Sequence, residues 1–77
     1  PEREAARRWM DEVYLPTLAS IPPDQAQKLE PAEIFHQLLE HRWYMSERAG
    51  HDLPLGQVVP AYVAEVLDPL AAPAVAG

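Results

Sequence analysis

Two histidines and a glutamate, His36, Glu40 and His41, stand together as H-x-x-x-E-H in mid-chain, and Glu33 makes E-x-x-H with His36. Imidazole and carboxylate at helical spacing are groups that hold transition metals. A helical two-metal site needs two such motifs plus two further carboxylates on facing helices, and one motif is present here. The H-E-x-x-H and H-x-x-E-H zinc patterns do not fit the spacing. These residues therefore read first as a solvated polar face with His36 and Glu40 as a surface pair. A metal held by His36, Glu40 and His41 is the weaker alternative, and no cofactor is expected. Nucleophilic catalysis lacks its parts: Ser20 and Ser46 are the only serines, cysteine is absent, and the three glycines stand apart, so no phosphate-binding loop forms.

Arg42, Trp43 and Tyr44 follow directly. Helical periodicity places Arg42 inside an apolar face, where an unpaired charge is costly, so a carboxylate from another helix is expected to meet it, with Glu12 and Glu65 as candidates. The alternative is that Arg42 faces a partner. Trp43 reads as a core-rim residue or as an interface anchor, since Arg and aromatic side chains are enriched at interfaces. Arg42, Trp43 and Tyr44 are the candidate interaction residues.

The element that carries all six residues is the run Pro31 to Gly50. Ile34, Phe35, Leu38, Leu39, Met45 and Ala49 share one face at 100° per residue, which predicts an amphipathic helix over 31–49. Pro31 suits the first helical position, Glu33 the positive end of the dipole, and Gly50 a left-handed stop. A second amphipathic helix is predicted over 2–15, with Ala6, Trp9, Met10 and Val13 on one face. Pro16 kinks or stops it, and Thr17 to Ser20 can continue beyond. Pro22-Pro23 ends that element, a short turn of helix starts at Pro23, and Glu30 before Pro31 is extended. This connection is expected to pack the first two long helices antiparallel. A third helix is predicted over 57–68, with Asp52 as its N-cap and a late start or a kink at Pro60. The expected core is Trp9, Val13, Ile34, Phe35, Leu38, Met45, Tyr62 and Val66. The fold class is all-α: a small three-helix bundle with proline-rich connections, a helical domain over 1–68 and a flexible, disordered tail over 69–77, where Pro and Ala dominate.

Seventy-seven residues allow one domain, and without cysteine no disulfide supports it. The net charge of −6 disfavours nucleic acid and anionic membrane surfaces, because the basic residues cluster only at Arg3, Arg7 and Arg8, among acids. No apolar run has the length of a membrane span, and no signal peptide is visible. The chain opens inside a helical pattern, as a piece of a longer protein would.

The runs EAARRWMDEVY, LEPAEIFHQLLEHRWYMSE and AYVAEVL resemble the C-terminal part of an uncharacterised actinobacterial family. Its members carry a domain of unknown function attached to a kinase-like domain related to lipopolysaccharide kinases. The resemblance spans nearly all of positions 4–67, and H-x-x-x-E-H-R-W is its most specific stretch. The sequence departs at Leu53 to Pro60, where the family has a cleaner helix. The resemblance implies a cytoplasmic fragment whose ATP-binding and catalytic residues lie elsewhere, and it carries over no catalytic residue. The expected function is thus a non-catalytic accessory or interaction module whose partner is protein, either the rest of the parent chain or a second copy. A free-standing small acidic regulatory protein is the alternative, and a helical metal-binding protein the second alternative.

Overall fold

The computed structural model describes residues 2–71, and they are all-α, with no strand among them. The order is α1 (Glu2–Trp9), a π-helical stretch (Met10–Tyr14), α2 (Leu15–Ala19), α3 (Pro23–Ala26), α4 (Pro31–Ala49), α5 (Leu55–Tyr62) and a second π-helical stretch (Val63–Leu67).

Prolines set most of these boundaries. Glu30 is extended (φ −65°, ψ 144°) because Pro31 crowds it out of the α region, and Pro31 then opens α4. Pro22 and Pro23 do the same for α3. Gly50 closes α4 in the left-handed region at φ 79°, donating its N–H to the Ser46 carbonyl. The third helix begins earlier than 57. Pro54, extended at φ −68° and ψ 147°, is its N-cap, and Asp52 makes no capping bond. Leu53 precedes a proline and so cannot be helical, which keeps the start downstream of Asp52.

The two internal prolines do not stop their helices. Tyr14, Leu15, Tyr62 and Val63 all keep right-handed helical dihedrals across the joins. Beside each proline the ladder shifts by one residue: Leu15 N–H bonds the Met10 carbonyl, and Asp68 N–H bonds the Val63 carbonyl. Such π-turns absorb a bond that a proline cannot make. Pro60 leaves the Gly56 carbonyl without its helical donor, and Gly56 is exposed, so water can serve it.

The core joins Ile21, Ile34, Leu38, Leu53, Val58, Val59, Tyr62 and Leu67, with Leu18, Leu29, Met45 and Val66 packed around it. Ile34, Leu38, Phe35 and Tyr62 are buried as the periodicity predicts, and Met45, Val13 and Val66 are half-buried. Trp9 is not a core residue: it is 44% exposed. Its ring meets Phe35 edge-on at 5.4 Å and lies 5.5 Å from Tyr14, which caps the core from outside. Helix α1 buries no residue at all. The helices packed on α4 are therefore α5 and α2, in place of the expected first helix, and α1 is an arm.

The shape follows. The molecule measures 46 × 33 × 15 Å, so it is flat. Its radius of gyration is 13.9 Å, against about 11–12 Å for a globule of this length. A bend from Asp68 to Leu70 follows the last helix, with Leu70 N–H on the Leu67 carbonyl. The tail expected over 69–77 lies outside the described residues from position 72 onward.

Candidate functional site

Helix α4 carries every candidate residue, and its turns send them in different directions. His36 is exposed, with Nδ1 3.8 Å from Glu40 Oε1, too long for a hydrogen bond. His41 is half-buried: its Nε2–H donates to Glu65 Oε2 at 2.9 Å, and its ring meets Tyr62 edge-on. Glu40 and His41 thus point apart, and among the described residues no three His, Asp or Glu side chains are placed to share an ion.

A polar chain runs between α4 and the final helix. Tyr62 O–H donates to Gln37 Oε1 at 2.8 Å. Its pKa is raised above that of a free tyrosine, first by burial and second by the charge of Glu33.

Among the described residues Arg42 has no carboxylate partner. Its Nε–H donates to the Leu53 carbonyl at 2.9 Å, while Ser46 Oγ accepts the Leu53 N–H at 3.0 Å. One turn of α4 therefore holds both backbone groups of a loop residue whose side chain enters the core. Glu65, one expected partner, is taken by His41. The other, Glu12, sits on an exposed stretch of the first helix. A backbone carbonyl accepts from the guanidinium without a second charge being taken out of water.

Trp43 and Tyr44 are 60% and 57% exposed and stack edge-to-face on each other at 5.1 Å. Trp43 follows Phe35 and the exposed Leu39 at i+4 steps, so an apolar stripe runs along α4 from the aromatic cluster to Trp43. Beside Trp43 lies a shallow groove of about 350 Å³, walled by Ser46, Glu47, Gly50, His51 and Asp52. It adjoins a smaller one reaching Leu39 and Arg42. The stripe was foreseeable: Leu39 and Trp43 are both apolar and both lie at the edge of the predicted face. The clasp on Leu53 was not, because loop residues carry no period.

A small all-α domain with an exposed aromatic stripe on its longest helix is the class defined here. Residues 1–67 match the family described as Domain of unknown function (DUF4032), and the chain belongs to that family. The match ends at Leu67, the last residue of the helical body. No curated protein and no solved structure matches the chain.

Proposed function

We propose that this domain is a non-catalytic helical contact module, acting through the α4 stripe of Leu39, Arg42, Trp43 and Tyr44 on a protein partner. The parent is a cytoplasmic protein with a kinase-like domain, as the sequence resemblance implies, and neither nucleic acid nor membrane is its target. One observation carries the reading. A slab 15 Å thick leaves large apolar side chains on its surface, and two of the most exposed, Trp43 and Tyr44, stack together at the end of that stripe. Trp and Tyr in such positions are the usual anchors of protein interfaces. The non-catalytic part rests on occupancy. His41, Arg42, Ser46 and Tyr62 are each spent on a bond that ties α4 to a neighbouring segment.

The test separates a contact face from a structural one. Trp43→Ala and Leu39→Ala are expected to change unfolding free energy by about 0.5 kcal/mol or less, as surface substitutions do. Leu38→Ala, one residue away on the buried side, is expected to cost about 2–5 kcal/mol. Urea titrations followed by circular dichroism read both. A loss above about 2 kcal/mol in Trp43→Ala would place the ring in the fold's own core and end the proposal.

A further inference from the structure

We infer that the partner of the Trp43 groove is a second copy of this chain, which lays the outer face of its α1 arm along the stripe; this rests on the contact reading just given. The two surfaces complement each other in charge, apolarity and length.

On the arm, Arg3, Ala6, Arg7 and Met10 follow i, i+3, i+4, i+7 and share one face. All four are exposed, while Trp9, on the adjacent side, turns in toward Phe35. On the groove, Leu39 and Trp43 give the apolar floor, Glu47 gives a carboxylate at the end away from Leu39, and Asp52 lines both halves. Among the described residues the ion pairs are His36 with Glu40 and His41 with Glu65. The arm's arginines and the groove's two carboxylates therefore have no ionic partner among the described residues.

The lengths agree. Arg3 to Met10 spans about 10 Å of helix, and Leu39 to Glu47 about 12 Å. The direction is also fixed. Arg42 stands at the Leu39 end of the groove and repels an incoming guanidinium there. Met10 therefore lies toward Leu39, and Arg3 and Arg7 toward Glu47, with Asp52 flanking the middle of the groove. An arginine reaching those carboxylates passes over the Trp43 ring, where a cation is attracted to the π face. A chain of net charge −6 would otherwise repel its own copy, so such local opposite-charge pairing decides whether two copies meet.

Sedimentation velocity on the full chain, from micromolar to millimolar concentration, tests this. The wild type is expected to self-associate, and more weakly at high salt. Arg3→Glu with Arg7→Glu, in one chain, is expected to be monomeric. So is Glu47→Lys with Asp52→Lys in another. Mixing the two is expected to restore association, because each arm then meets a groove of opposite sign. Circular dichroism checks that each variant folds. Should the lysine variant lose its helix signal, Glu47→Gln with Asp52→Asn must still abolish association. A wild type that stays monomeric at millimolar concentration overturns the inference, as does association that survives both reversals or a mixture that fails to recover. None of these outcomes alters the Trp43→Ala stability result, so the two proposals fail separately.

Discussion

Arg42 shows what a single side chain does in a domain too small to waste contacts. With Ser46 it holds the N–H and C=O of Leu53, and that brings an apolar loop side chain into the core. Its burial was legible from helical angle alone, and its partner was not. A carboxylate can be sought along a helix by spacing, whereas a carbonyl is present at every residue and leaves no mark. Tyr62 gives the residue scale a measurable pH response. Its folded pKa lies above the free value of 10.0, so at alkaline pH the unfolded chain loses this proton first. The stabilisation is fully present below that free value and disappears as pH rises through the folded one. Stability is therefore expected to fall as pH climbs past the free value. Tyr62→Phe is expected to flatten that part of the curve, at the cost of the Gln37 bond, about 1 kcal/mol. Urea midpoints across the alkaline range check it.

At the scale of elements, α4 was readable to the residue, because Pro31, the apolar period and Gly50 agree. The two ends of the chain were harder. Periodicity assumes 3.6 residues per turn, and the π-turns at Met10–Tyr14 and Val63–Leu67 break that count. Leu67 was thus missed as core, and Val13 and Val66 were assigned too deep a place. Ile21 and Leu53 were missed because they sit in connections. Trp9 was misplaced for another reason: a ring on the apolar face of a helix is buried only if something covers that helix, and among the described residues no element buries a side chain of α1. Two glycines give a paired test. Gly50 holds a left-handed dihedral with open space around its Cβ position, so Gly50→Ala is expected to cost about 1 kcal/mol through the backbone alone. Gly56 sits in α5 at negative φ, also with open space, and Gly56→Ala is expected to gain about 0.5–1 kcal/mol. Opposite shifts in thermal midpoint check both at once.

At the scale of the whole molecule, the chain exposes 5652 Å², where a globular monomer of 8.6 kDa exposes about 4,700 Å². A flat body and a first helix that buries no residue both work in that direction. All-α class, element count and the central helix could be read from sequence, but this shape could not, since amphipathic faces do not say how completely they are covered. Local opening should follow the same map. Amides of α1 are expected to exchange fastest among the helices at low concentration, and those of Leu38 and Tyr62 slowest. Hydrogen exchange by mass spectrometry reads this. Slow exchange in Glu2–Arg8 at every dilution would contradict the free-arm geometry.

Lys28 is the only lysine in the sequence. Its ammonium reaches from the turn after α3 to the Leu67 carbonyl at 2.7 Å, with Gln25 bonding Asp68 alongside. It thus clasps the end of the last helix, where carbonyls lack helical partners and a positive charge suits the dipole. Seen as a reactive amine, the same side chain becomes a built-in sensor. An acylating reagent must wait for the clasp to open, so the rate of lysine labelling reports release of the final helix from the α3 turn. Once acylated, Nζ has lost its charge and cannot re-form the cap in the same way. Amine coupling to a surface or a dye would loosen this domain at the join between its middle and its end. A tag placed through Arg3 or the arm would leave that join intact.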